Sequence, residues 1–224
     1  MATGFDYSNL SGRPPGRFVS LAGRVLPGVR AVQDQVEPYA AWWERHNAAA
    51  LAEPGPLWVA LGDSMTLGIG ASAPDRGWVG QLLARRPGRR AVNLGVSGGR
   101  VRDVLERQLP ALAALGGEPD LVTVHIGSND MFSRALRPRL ITDMAELLRR
   151  LPAGAVVGNQ PGTHAAALEV NRQIDAAVAE RGLRLAEFRI PRMRSWKGRL
   201  AADHFHPNDE GYAGMADVFD AAWP

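Results

Sequence analysis

The chain contains no cysteine, a single lysine (Lys197), only three tyrosines, and no apolar run approaching the roughly 20 residues of a membrane-spanning helix. Each absence excludes something. Without thiols there is no disulfide framework and no thiolate metal site, and cysteine usage gives no marker of an oxidising compartment. The 26 basic residues are almost all arginine and are scattered among 23 acidic ones. They form no clustered basic stripe with interleaved aromatics, so no nucleic-acid partner is expected. The high isoelectric point reflects the scarcity of groups titrating between neutrality and the arginines more than a charge excess, because the net charge is only +3. The opening MATGFDYSNLSGRPPGRF has no apolar core of the signal-peptide kind. A cytoplasmic protein with no integral membrane segment is the expectation.

What is present reads as a folded catalytic core. A length of 224 residues suits one well-buried domain, and 46% hydrophobic with 22% charged residues is ordinary for a globular chain. Residues 1–55 read as an N-terminal extension and 56–224 as the main domain. Within the extension, residues 1 to about 16 are rich in Gly, Ser and Pro and are expected to be a mobile lead-in. Leu21, Val25, Val29, Val32 and Val36, then Tyr39, Trp42, Trp43 and His46, recur at helical spacing. This predicts two short helices joined near Pro38 with their apolar faces docked on the core.

After Glu53-Pro54-Gly55-Pro56, short apolar runs alternate with longer helical stretches. The runs Leu57 to Leu61, Ala91 to Val96, Leu121 to Ile126, Ala155 to Gly158 and Leu183 to Phe188 read as five buried strands. Helical spacing fills Trp78 to Arg86, Val101 to Leu115, Arg139 to Leu151 and His164 to Arg181, and a last amphipathic helix runs from about Asp209 to Ala221. Repeated strand-then-helix order means βαβ units, a parallel sheet and right-handed crossovers. Chemistry in such sheets gathers at the carboxyl ends of the strands.

Three informative loops follow the first three strands: Gly62-Asp63-Ser64, Ser97-Gly98-Gly99 and Gly127-Ser128-Asn129-Asp130. A fourth, Asp203-His204-Phe205-His206-Pro207, precedes the last helix. A serine at a strand-to-helix turn exposes its hydroxyl and leaves its own N–H free. To act as a nucleophile near neutral pH it needs an imidazole to take its proton and a carboxylate to fix the imidazole tautomer. Asp203 and His206 supply both from one tight loop, with His204 as the competing base. Gly98 offers an unobstructed N–H and Asn129 a neutral side-chain donor, so together with the Ser64 N–H they make candidate oxyanion donors. Each motif alone has a plainer reading as a helix cap, a turn or a surface ion pair; their joint order and spacing do not.

Taken together, Gly62-Asp63-Ser64-Met65-Thr66, Val92-Asn93 through Ser97-Gly98, Gly127-Ser128-Asn129-Asp130 and Asp203-x-x-His206-Pro207 resemble the four conserved blocks of the SGNH, or GDSL-type, hydrolases. The resemblance covers roughly Leu57 to Pro224. It implies an α/β fold of flavodoxin-like form, a three-layer α/β/α sandwich on a mostly parallel five-stranded sheet. It also implies a Ser64–His206–Asp203 triad, an oxyanion hole from Ser64, Gly98 and Asn129, and hydrolysis of a small-molecule ester (small acyl, aryl or lipid) or thioester with neither metal nor organic cofactor. Ser128 departs from the family pattern, where Gly is common.

Three rivals are weaker. The α/β-hydrolase elbow Gly-x-Ser-x-Gly is broken by Thr66 in the final Gly position. A metallophosphoesterase would also use Gly62-Asp63, Asn129-Asp130 and His204-x-His206, but no further histidine motif completes its ligand set. A non-catalytic binding module on the same scaffold would be expected to have lost a member of the triad.

Overall fold

The computed structural model describes residues 5–14, 23 and 25–224. Ahead of the sheet come α1 (Pro27–Gln33) and α2 (Val36–Ala52). The alternating part follows as β1 (Leu57–Gly62), α3 (Ser64–Leu67), α4 (Trp78–Ala84), β2 (Arg90–Asn93), α5 (residues 101–113), β3 (Leu121–His125), α6 (Ser128–Phe132), α7 (Arg137–Arg150), β4 (Val156–Gly158), α8 (Ala165–Arg181), β5 (Arg184–Ala186), α9 (Pro191–Arg194) and α10 (Asp209–Ala221). The five strands form one sheet in the order β2-β1-β3-β4-β5, and every pairing is parallel. The expected parallel α/β sandwich is therefore present.

Strand pleating sorts β1 between two cores. Leu57, Val59 and Leu61 face a layer with α5, α7 and α8, where Val104, Leu140, Met144, Leu147, Val170 and Ile174 are buried. Trp58 and Ala60 point the other way, toward α2, α4 and α10. There an aromatic stack of Trp58, Trp78 and Phe219 fills the space, with Trp78 and Phe219 centroids 4.1 Å apart. Because both faces are covered, the strands need no polar alternation, which is why they read as continuous apolar runs.

The strand order reverses direction between β1 and β3. At such a switch point the loops leaving the two strands turn to opposite faces and open a crevice at the carboxyl edge. Ser64 follows β1 and Asn129 follows β3, so the fold itself brings these two loops together.

Two expectations are corrected near the N-terminus. The break between the first two helices falls at Asp34 and Gln35, and Pro38 lies inside the first turn of α2. Proline is tolerated there because an N–H in the first turn has no intrahelical acceptor to lose. Residues 5–14, expected to be mobile, pack against the protein: Asn9 is fully buried, and the Tyr7 hydroxyl donates to the Leu94 carbonyl at 2.6 Å. Composition misleads here because those anchors are polar and periodicity cannot register them. Leu21, and residues 1–4, 15 and 16 of the lead-in, lie outside the described residues.

Candidate active site

Gly62 ends β1 in a position where a Cβ would sit 2.1 Å from the Thr66 hydroxyl and 2.5 Å from the His125 carbonyl. Only glycine lets the chain turn this tightly into α3. Asp63 caps that helix, its Oδ1 accepting from the Met65 N–H at 3.0 Å, and Ser64 occupies the first helical position. The Ser64 N–H has no hydrogen-bond acceptor among the described residues. The turn is held from behind by Gln108, whose side chain accepts from the Gly62 N–H at 2.8 Å and donates to the Gly62 carbonyl at 2.7 Å. Gln108 closes the π-helical stretch Val104–Gln108 inside α5 and is fully buried. The widened turn brings this polar side chain to the end of β1.

The second loop arrives from the other end of the chain. Asn208 caps α10 by accepting from the Glu210 and Gly211 N–H groups, which fixes the backbone just after His206. Gly70, at φ 97°, lies so close to this loop that a Cβ would be 2.7 Å from the His206 Cβ. His206 Nε2 is 2.9 Å from the Ser64 hydroxyl, and His206 Nδ1 is 2.6 Å from Asp203 Oδ2. The other Asp203 oxygen accepts from the Phe205 and His206 N–H groups, each at 3.0 Å. Burial alone would raise the Asp203 carboxyl, but the His206 ring and these two N–H donors outweigh it and hold it below the usual carboxylate range. Asp203 therefore stays ionised beside the imidazole. The structure brings His206, and not His204, to Ser64; His204 takes a left-handed backbone (φ 56°) as the loop turns.

The candidate oxyanion donors lie on the neighbouring loops. Gly98 sits at φ 69° in a turn closed by a bond from the Gly99 N–H to the Val96 carbonyl, and its own N–H has no acceptor among the described residues. Asn129 donates one side-chain N–H to the Gly99 carbonyl at 2.8 Å, which orients the amide and leaves its second N–H available. Ser128, the departure from the family pattern, donates its hydroxyl to Asp63 Oδ2 at 2.7 Å and links the β1 and β3 loops. Asp63 is buried; desolvation pushes its carboxyl above the usual range, and the bonds from Ser128 and the Met65 N–H offset this only in part. It is a structural pin, with neither oxygen turned to the hydroxyl of Ser64. Asp130 accepts from the Val101 N–H, and burial raises it to about 6.

An apolar surface borders the imidazole. Phe205 stands edge-on to the His206 ring at 5.0 Å between centroids, and Phe132 meets Phe205 at 5.8 Å. Both phenylalanines are exposed. Among the described residues, no group of three or more His, Asp or Glu side chains is placed to hold a metal ion. No helix among them is long and apolar enough to cross a membrane.

Sequence reasoning singled out Ser64, Gly98, Asn129, Asp203 and His206; hydrogen bonds join Ser64, His206 and Asp203, and Asn129 bonds to Gly99 beside Gly98. It missed Gln108 and the role of Ser128. Gln108 left a signal, being the one polar residue on the apolar face formed by Val101, Val104, Leu105 and Leu109.

Comparison with known proteins agrees with this architecture. Among solved structures, the chain is similar to the psychrotrophic esterase EstA from Pseudoalteromonas sp., described as inhibited by monoethylphosphonate, at 18% identity and TM-score 0.60, covering 74% of this chain and 95% of that one. It is similar to LAE5, an alpha/beta hydrolase enzyme from the metagenome of Lake Arreo, at 26% identity and TM-score 0.59, covering 77% and 97%. It is also similar to the acetylxylan esterase Axe2 from Geobacillus stearothermophilus at 19% identity and TM-score 0.56, covering 75% and 94%. No curated protein matches the sequence. The model of the GDSL-like Lipase/Acylhydrolase family matches residues 60–213, a stretch that holds every one of the five residues above, and the chain belongs to that family of ester-hydrolysing enzymes.

Proposed function

We propose that the protein is a serine esterase that cleaves carboxylic esters through an acyl-enzyme, with its chemistry carried by residues 56–224. One observation supports this above the others: the Ser64 hydroxyl, the His206 imidazole and the Asp203 carboxylate stand in an unbroken hydrogen-bonded series of 2.9 and 2.6 Å. In this reading His206 Nε2 takes the Ser64 proton as the oxygen attacks the acyl carbonyl. Asp203 keeps the Nδ1 proton in place and stabilises the imidazolium. The Ser64 and Gly98 N–H groups and the free N–H of Asn129 receive the developing oxyanion. His206 then protonates the departing alcohol, and a water activated by the same ring releases the acid and restores Ser64.

The exposed Phe132–Phe205 pair beside the imidazole favours esters with an apolar portion, because burying such a surface against substrate removes both from water. Hydrolysis of p-nitrophenyl esters from acetate to laurate by the wild type, Ser64→Ala and His206→Ala tests the reading. The expected result is turnover by the wild type and a loss of several orders of magnitude in kcat for each variant. Turnover surviving in Ser64→Ala would refute it, and the absence of turnover on every ester would favour a binding module on this scaffold.

A further inference from the structure

We propose that residues 5–14 act as a strap that holds the Gly98 loop in register, and that Arg13 is a positioning residue for the oxyanion donors. The proposal rests on the reading of the Gly98 N–H as one of those donors. The strap lies outside the residues matched by the family model, which begins at residue 60.

Packing does not hold Gly98. It is exposed, its φ is 69°, and a Cβ built there would meet nothing within 4 Å. Its orientation therefore depends on hydrogen bonds, and the strap supplies many of those that fix this stretch. Asn9 Nδ2 donates to the carbonyls of Asn93 and Gly95 at 2.9 and 2.8 Å, and the Tyr7 hydroxyl donates to Leu94. These bonds satisfy the backbone just past the end of β2, where the sheet no longer does so.

Arg13 extends the same pattern to the donor itself. Its guanidinium meets both oxygens of Asp103 at 2.6 Å, and Nη2 also donates to the Gly98 carbonyl at 3.2 Å. Asp103 in turn accepts from the Arg100 N–H at 2.8 Å, capping the start of α5. One planar fork thus ties the Gly98 carbonyl to the first turn of the next helix. The Asp103 side chain is only 9% exposed, so without Arg13 it would be a nearly buried charge lacking its main partner. The strap is fixed in its turn from further along α5 and from α2. Arg107 donates to the Ser8 and Leu10 carbonyls, and Glu44 of α2 accepts from the Ser8 hydroxyl and the Asn9 N–H. A segment bound from three sides in this way can transmit position to the loop it grips.

Arg13→Ala and Arg13→Lys test this in the full chain, with kcat and KM for p-nitrophenyl acetate measured per active site titrated by a fluorophosphonate. Misplacing an oxyanion donor without deleting it is expected to lower kcat about ten- to a hundredfold, with KM little changed. Millimolar guanidinium ion should restore part of the Arg13→Ala rate and leave the wild type unaffected. Lysine keeps a cation at Asp103 but not the fork, so Arg13→Lys should fold normally and still lose kcat. Combined with Asn129→Ala, the loss should be smaller than the product of the single losses, because both act on one oxyanion. An Arg13→Lys variant with unchanged kcat, or a loss in Arg13→Ala explained entirely by fewer titratable sites, overturns the strap. Ser64→Ala separates the two readings. Turnover surviving that substitution overturns the esterase reading and the strap together, whereas an inactive Ser64→Ala beside an unaffected Arg13→Ala overturns the strap alone.

Discussion

Replacing Asp203 with asparagine exchanges one carboxylate oxygen for an amide NH2 and changes almost nothing in volume, and the local bonds decide which way the new amide faces. In the native protein Oδ1 accepts two backbone N–H groups at 3.0 Å while Oδ2 meets His206 Nδ1 at 2.6 Å. An asparagine that keeps its oxygen on the two N–H groups retains both bonds; the flipped form loses them and sets an NH2 against two donors. At about 0.5–1.5 kcal/mol for each bond, the unflipped form is preferred by about 1–3 kcal/mol. Its NH2 then points at Nδ1 and forces the ring proton onto Nε2, the atom that must accept from Ser64. Most molecules are therefore trapped in the wrong tautomer, which costs roughly ten- to a hundredfold, and the flipped minority lacks the negative charge that stabilises the imidazolium. The expected loss in kcat approaches ~10⁴ with the fold intact. Steady-state hydrolysis of a p-nitrophenyl ester in mild alkali, beside a thermal melt, measures both. A folded Asp203→Asn variant with kcat close to wild type would refute the tautomer argument and the role given to Asp203.

Other consequences follow from the same geometry. Asn129→Ala removes one of the proposed oxyanion donors and should lower kcat about 10²- to 10³-fold at similar KM, as steady-state kinetics will show. Gln108→Leu takes the acceptor from the buried Gly62 N–H and leaves the Gly62 carbonyl with the Val96 N–H at 3.3 Å. It should cost about 1–3 kcal/mol in a urea titration, with a further drop in kcat as Ser64 loses its support. His125 and Asp130 give opposing pH dependences over one window. Burial lowers His125 to about 4, so its contribution is lost as pH falls from the ordinary histidine range toward 4. Burial raises Asp130 to about 6, so the folded state holds that proton more tightly and stability falls as pH rises from about 4 to 6. Asp130→Asn removes the second trend only, and its urea midpoint should therefore drop more steeply than that of the wild type between pH 6.5 and pH 4.5. An equal slope would show that Asp130 titrates as it does in the unfolded chain.

The parallel sheet was legible because burial on both faces writes each strand as an unbroken apolar run, as in Leu57 to Leu61, and because strand and helix alternate. The catalytic candidates were legible because loops after successive parallel strands must share an edge, so spacing along the chain translates into proximity. Strand ends were less clear: apolarity continues through Val96, yet β2 ends at Asn93, where the Asn93 side chain turns back to accept from the Gly95 N–H at 2.8 Å. What the sequence concealed were polar contacts distant along the chain. The carbonyls that Asn9 Nδ2 binds and the groups that Arg13 binds lie 84 to 90 positions away. Asn9 and Arg13 carry no periodicity, and a Gly- and Pro-rich setting argued against order. The choice between His204 and His206 rested on the Asp-x-x-His spacing, and the reason that spacing works is visible in the loop, where Asp203 accepts from the His206 N–H and its ring together.

The central assignment is Ser64 as nucleophile, and its most direct measurement is the intact mass of the protein after exposure to a fluorophosphonate, followed by peptide mapping. A single phosphonyl adduct on Ser64, formed in step with loss of esterase activity and absent from Ser64→Ala, is the expected result. An adduct on another serine, or full inactivation with Ser64 unmodified, would contradict it.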